Sequence, residues 1–198
     1  MKLLKKHSSD NQNFTILEAC QFDLIDELKE LISQGDKLNE RNSDGLTPLI
    51  LASMEGNTES LDILIKAGAS VDDNDYKGQT ALWHASRDNN YECIKLLINA
   101  GAQVNKGDNT NYTPLMVASS LGPDGAIILL DGGANVNATD NAGYTALMHA
   151  SMNDKLSSVK ILIATGANVT MTSRDGDSAL SLAKSRQRNE IVNYLKNF

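Results

Sequence analysis

Two histidines stand in nearly the same words, GQTALWHAS at residues 78–86 and GYTALMHAS at 143–151, so the first question is whether His84 and His149 do chemistry. Histidine is the side chain whose ordinary pKa suits it to proton transfer near neutrality, and histidines together with Cys20 and Cys93 are also the raw material of a metal site. A catalytic histidine is needed once, however, whereas an architectural unit is needed many times. The counterparts of His84 and His149 in the related stretches are Leu51, Val117 and Leu182, so the position takes an apolar residue just as readily. The expectation is a packed or locally hydrogen-bonded histidine. Cys20 falls in a slot filled elsewhere by Ser53, Ser86, Ser119 and Ser151, and Cys93 in that of Ser60, which makes both of them small-residue substitutes.

Zinc-ligand spacing, a nucleotide-binding glycine loop and a nucleophile elbow are missing from the sequence. The acidic pair Asp72 and Asp73 reads as a turn former and solvated charge. The Asn-x-Thr triplets at Asn13, Asn111, Asn137 and Asn168 would accept glycans in a eukaryotic secretory route alone, and in a chain this rich in asparagine chance accounts for them. No catalytic residue, metal or cofactor is expected, and the chain is not read as an enzyme.

The elements that carry these residues recur. GLTPLILAS (45–53), GQTALWHAS (78–86), NYTPLMVAS (111–119), GYTALMHAS (143–151) and GDSALSLAK (176–184) follow one another at spacings of 33, 33, 32 and 33 residues. A second phrase trails the first four, as IKAGASVD, INAGAQVN, LDGGANVN and IATGANVT, and a worn copy runs from FTILEAC to ISQGDKLN. Thr47, Thr80, Thr113, Thr145 and Ser178 precede helical runs and supply a capping hydroxyl, with Pro48 and Pro114 just inside, where a missing N–H costs nothing. Leu49 with Ala52, Leu82 with Ala85, Leu115 with Ala118 and Leu147 with Ala150 share an inward helix face. Gly35, Gly68, Gly101, Gly133 and Gly166 fit left-handed C-terminal caps.

These phrases resemble the ankyrin repeat, whose signature joins a Gly-x-Thr-Pro-Leu-x-x-Ala segment to a later Gly-Ala-Asp-Val-Asn segment, and the resemblance spans about residues 11–198. It implies an all-α repeat solenoid in which each unit has two antiparallel helices followed by a loop and a β-hairpin finger. About six units are expected, near 11–43, 44–76, 77–109, 110–141, 142–174 and 175–198, forming one repeat domain after an extension at 1–10. Residues 17–32 read as an N-terminal cap and 184–198 as a C-terminal cap, with four full repeats between them and the array complete. Ala81, Ala146 and Ala179 replace the signature proline, and Asn111 replaces a finger glycine at a position where positive φ is expected. The 110–141 unit is one residue short around SLGPDGAIILL, so the helix opened by Pro123 is expected to be shortened or re-registered. At roughly 10 Å per stacked helix, His84 and His149, two units apart, cannot share a metal, nor can Cys20 and Cys93 reach disulfide distance.

Composition narrows the partner. The 198 residues are 41% hydrophobic and 22% charged, which suits a folded chain, and 18 Lys+Arg against 25 Asp+Glu leave a net charge of −7. That charge repels phosphate backbones and anionic headgroups, so neither nucleic acid nor membrane is expected as partner. The opening MKLLKKHSSD is basic but lacks the apolar core of a secretion signal. A cytoplasmic, monomeric protein is expected, or an exported one if a signal was removed.

The positions left free by the repeat carry the functional information. In the family the resemblance points to, fingertips and first helices form a concave, partner-gripping surface. By register that surface comprises Tyr76, Gln79, Trp83, Arg87, Asn109, Tyr112, Met116, Tyr144, Met148 and Met152. Trp, Tyr and Arg dominate binding hot spots, and Met adds an adaptable surface. A second reading packs Trp83, Met116 and Met148 beneath the finger loops instead. Asp44, Asp88, Asp175 and Asp177 lie toward the two ends, where they either steer a basic partner or simply solubilise. The function expected is non-enzymatic protein–protein interaction through this groove. The alternatives are an inhibitor or immunity-type protein that occludes an enzyme and, further off, a small-ligand or catalytic protein built on His84 and Trp83.

Overall fold

The computed structural model of the chain describes residues 14–35 and 37–198. The extension at 1–10, its MKLLKKHSSD opening and Asn13 lie outside the described residues. Six helix pairs follow in order: α1 (Ile16–Gln21) with α2 (Ile25–Ser33), α3 (Pro48–Glu55) with α4 (Thr58–Lys66), and α5 (Ala81–Arg87) with α6 (Tyr91–Asn99). They continue with α7 (Pro114–Leu121) and α8 (Pro123–Asp131), α9 (Ala146–Met152) and α10 (Leu156–Ala164), α11 (Ala179–Ser185) and α12 (Asn189–Leu195).

Each first helix starts where a hydroxyl can cap it. The Thr47, Thr80, Thr113, Thr145 and Ser178 side chains accept the N–H three residues on, at 3.1–3.4 Å, from an extended backbone. The second helices of the first five pairs are followed by Gly35, Gly68, Gly101, Gly133 and Gly166, all with φ between 86° and 97°. The first helices carry Ala52, Ala85, Ala118, Ala150 and Ala183 on their buried sides, and they approach one another more closely than the second helices do. The stack therefore curves, with first helices and fingers on its inner side.

The fingers stack as well. Tyr76, Asn109, Asn141 and Arg174 each donate a backbone N–H to the carbonyl of Asp44, Lys77, Thr110 and Ala142 on the preceding fingertip, at 2.9–3.5 Å. Within fingers the strand character is confined to single antiparallel bridges, Asn74 with Thr80, Thr139 with Thr145 and Thr172 with Ser178. Further back, the Asn39, Asp72, Asn105 and Asn137 side chains accept the N–H of Ser70, Gln103, Asn135 and Asn168 in the next unit, at 2.7–2.9 Å. Asp72 and Asp73 are thus more than solvated turn formers, because Asp73 also pairs with Arg41 of the preceding unit at 3.4 Å.

The helix opened by Pro123 is neither shortened nor re-registered, contrary to expectation. It has nine residues, as α4, α6 and α10 do, and reaches its glycine cap in the usual register. The deleted residue comes out of the turn between the two helices. Elsewhere that turn contains a left-handed residue, Asp23, Gly56, Asn89, Asp154 or Gln187, whereas α7 and α8 are joined by Gly122 alone in extended conformation. The shorter link draws the pair together, and Gly125 allows it, since a Cβ there would sit 3.2 Å from that of Ala118.

Two fingertip glycines separate stacking from backbone strain. Gly78 (φ +81°) and Gly176 (φ +82°) both lie in left-handed conformation, but a Cβ on Gly78 would come within 2.7 Å of the Asn109 backbone nitrogen, whereas one on Gly176 meets nothing within 4 Å. Gly176→Ala is expected to cost about 1 kcal/mol from the positive φ alone, and Gly78→Ala distinctly more. Urea midpoints of the two variants measure the difference, and equal midpoints would mean that the fingers contribute little to stacking.

Candidate functional site

The inner face is built from each finger and the first helix that follows it. One residue organises each finger: Asn42, Asp75, Asp108, Asp140 or Ser173. In the first four, Oδ1 accepts the backbone N–H groups two and four residues on, at 2.8–3.0 Å, closing the fingertip turn, and the Ser173 hydroxyl accepts from Asp177 alone. A carboxylate has a second oxygen to place, and two of the three aspartates use it on a histidine. His84 Nε2 lies 3.0 Å from Asp75 Oδ2, and His149 Nε2 lies 2.9 Å from Asp140 Oδ2. The acceptor is a carboxylate, so the ring nitrogen donates. Each histidine therefore ties a finger to the helix behind it. The aspartates recur in the sequence at the same spacing as the capping threonines, and that periodicity is the signal by which the pairs are detectable without a structure.

Neither histidine is equipped for proton transfer to a substrate. His84 is 2% exposed, with Nδ1 buried and unpartnered. Burial lowers the pKa of His84 and of His149, more than the hydrogen bonds to Asp75 and Asp140 raise them. Cys20 and Cys93 are free, buried thiols pushed up by desolvation to about 12 and about 11, which removes the thiolate at neutral pH. Among the described residues no three His, Cys, Asp or Glu side chains are grouped to hold a metal.

The expected groove residues divide by depth. Trp83 (6% exposed), Met116 and Met148 are buried, which corrects their placement on the surface. Trp83 is held there by a hydrogen bond from Nε1 to the Tyr112 carbonyl at 2.9 Å, bridging one unit to the next finger, and by an edge-on contact with the His84 ring. Met116 and Met148 join the continuous core. Tyr76 (68% exposed) and Asn109 stand open, while Gln79, Arg87, Tyr112, Tyr144 and Met152 are half-buried. The Tyr76 ring lies against the preceding fingertip, where a Cβ on Gly45 would approach it to 2.8 Å. Asn109 Nδ2 donates to the Tyr76 carbonyl at 3.1 Å.

The half-buried residues form a connected surface. Arg87 stacks over Trp83, 5.8 Å from the ring centroid, and is held in place by two bonds to Asp88 at 2.9 and 2.7 Å. The Tyr112 hydroxyl meets Ser120 Oγ at 3.2 Å; the serine proton is committed to the Met116 carbonyl, so the tyrosine donates. The Tyr112 and Tyr144 rings flank His149, with centroids 4.8 and 5.6 Å away. His149, expected as structural, thus also contributes to the inner face. The sequence reading passed over it because its register partners are apolar.

Stacked helix pairs with interlocked fingers and an aromatic inner face define a solenoid of the protein-recognition class. The profile of ankyrin repeats matches the chain in three overlapping copies, at residues 16–108, 71–140 and 115–197, and the chain belongs to that family. No curated protein matches the chain. Ankyrin repeats are generally protein-interaction modules. No helix among the described residues is long and apolar enough to cross a membrane.

The histidine pairs predict an acid-sensitive fold. Because burial holds both folded-state pKa values below the unfolded value of about 6.5, their contribution to stability is present above that pH and is lost as the pH falls toward the folded pKa. Urea midpoints are expected to decline from pH 7 to pH 5. Leucine occupies the same register at Leu51 and Leu182, so the double variant His84→Leu, His149→Leu should fold, lose about 1–3 kcal/mol at neutral pH from unpartnered aspartates, and show a flatter profile in that window. An unchanged slope would mean that other groups set it.

Proposed function

We propose that the protein is a non-enzymatic recognition module that holds a folded protein partner against its inner face, across the fingertips and first helices of the middle units. The observation that carries this reading is the row of aromatic and long side chains left accessible on the stacked scaffold: Tyr76, Arg87, Tyr112, Tyr144 and Met152. Their backbones are fixed by helix and finger hydrogen bonds, those of Tyr76, Tyr112 and Met152 across units, so a partner meets a preorganised surface and the ordering cost of binding is low. Trp83, Met116 and Met148 support it from beneath.

Closure of His84 to solvent counts against a catalytic reading built on that residue. The net charge of −7 favours a protein over a nucleic acid as partner. The same charge supports a monomer in solution, through repulsion between copies.

The test is affinity capture from a lysate of the source organism, comparing the wild-type chain with the double variant Tyr76→Ser, Arg87→Ala. A control variant, Ile127→Ser, changes an exposed apolar residue of α8 on the outer helix layer. Loss of one retained protein with the groove variant, corresponding to at least tenfold weaker binding or roughly 1.4 kcal/mol, and its retention by the control, is the expected result. A partner enzyme whose activity is suppressed in the complex would narrow the function to inhibition. A partner lost with Ile127→Ser and kept by the groove variant would move the site to the outer surface.

A further inference from the structure

The inner face is not chemically uniform along its length. Between Lys106 and Lys155 the sequence contains no lysine or arginine, while Asp108, Asp124, Asp131, Asp140 and Asp154 fall in that interval. This stretch supplies the fingers and first helices that carry Tyr112, Tyr144 and His149. Of the cations around it, Arg87 is bonded to Asp88, Lys106 to the Asp72 carbonyl at 2.7 Å and Arg188 to Asp154 at 3.7 Å, whereas Lys155 and the flanking fingertip residues Lys77 and Arg174 make no ion pair among the described residues.

Within this stretch lies an aromatic cluster: the His149 side chain, 15% exposed and bonded to Asp140 at 11%, packs against both the Tyr112 and the Tyr144 ring. A neutral histidine leaves the Asp140 charge in place. The neighbouring Asp108 adds a second charge, for its hydrogen bonds all go to Oδ1. Where Asp75 and Asp140 pass their other oxygen to a histidine, Asp108 has Val117 in register, and its Oδ2 has no hydrogen-bond partner among the described residues. Both carboxylates adjoin Tyr112: Asp108 accepts its backbone N–H at 3.0 Å, and Asp140 is bonded to the His149 ring that the Tyr112 ring packs against.

We propose that this cluster takes a basic side chain of the partner protein, a lysine or an arginine, against the accessible faces of Tyr112 and Tyr144. Aromatic faces attract a cation, and the two carboxylates strengthen that attraction at half-buried side chains. An acidic side chain would meet two like charges. An apolar side chain would bury against the rings but gain nothing from the carboxylates. The inference rests on the inner face being the binding surface and adds what that surface selects.

The experiment is selection of a random dodecapeptide library, displayed on phage, against the whole chain, followed by affinity measurement on the enriched peptides. Peptides carrying lysine or arginine are expected, with affinity falling at least fivefold when the basic residue is replaced by citrulline or glutamine and again as salt rises from 50 to 500 mM. Asp140→Asn is the matched protein variant. Asn42 makes the same two turn hydrogen bonds in the first finger, so the fold should be retained while one charge is removed. A fivefold loss is expected with that variant and with Tyr144→Leu, which keeps apolar bulk and removes the aromatic face.

Enrichment of peptides without a basic residue, whose binding the variant Tyr76→Ser, Arg87→Ala still weakens, would overturn the assignment of the cluster and leave the groove standing. Basic peptides indifferent to Asp140→Asn, Tyr144→Leu and the groove variant would overturn both. Failure to enrich any basic peptide counts against the proposal.

Discussion

Every feature of this chain follows from the inability of one unit to bury its own apolar face. Two helices of six to nine residues are too short to be stable alone, and the apolar side of each pair is closed by its neighbours. The polar backbone is subject to the same dependence. Each fingertip after the first donates one N–H to the finger before it, and Asn39, Asp72, Asn105 and Asn137 behind the fingers each accept one N–H from the unit after. Register between units is therefore set at three levels: small residues between first helices, backbone bonds between fingers, and side-chain bonds at the finger bases. The contrast between Gly78 and Gly176 shows the effect directly, because the same glycine conformation is crowded by the Asn109 backbone where another finger follows and open at the last finger.

That dependence decides which residues are free to act on a partner. A side chain between two units is consumed by the stack, however suggestive its type. Trp83 is the clearest case: a tryptophan in the row just after the core leucine spends its indole N–H on the next finger's carbonyl and its area on the interface. What remains accessible is the side chain that the stack anchors at one end and leaves open at the other. Tyr112 and Arg87 are of this kind, each tethered through a polar group and exposing the rest. Tethering limits the conformational entropy a hot-spot side chain loses on binding.

The repeat, its helices, capping threonines and terminal glycines were legible in the sequence because each rests on local chemistry at a fixed spacing. Depth within the groove was less so. Trp83 and Tyr112 are both amphipathic aromatics at variable positions, and their different burial depends on the neighbouring finger, which a single unit's pattern does not encode. The pairing of His84 with Asp75 and His149 with Asp140 joins residues nine apart across the finger turn, which helical and strand periodicity do not mark; the repeat spacing of the aspartates is the signal that remains. The effect of Pro123 was misjudged for a similar reason. A deletion shows in the sequence as a lost residue somewhere in a unit, and the structure places the loss in the turn, the cheapest segment to shorten since it carries no core side chain.

The histidine pairs also explain why the middle of the groove differs from its flanks. Fingers organised by Asp75 and Asp140 are latched to the helix behind them through a ring, whereas the finger of Asp108 lies between them without a histidine. It is held instead from both sides by aromatics: Trp83 of the preceding unit binds its Tyr112 carbonyl, and the Tyr112 ring rests on His149 of the following one. The central finger thus takes its position from two neighbours and retains an uncommitted carboxylate oxygen. Substituting Val117 for a histidine removes a latch and, by the same change, leaves charge available beside the tyrosines. Position in the array and chemistry of the aromatic cluster have one cause, the choice of residue at a single register position in a single unit.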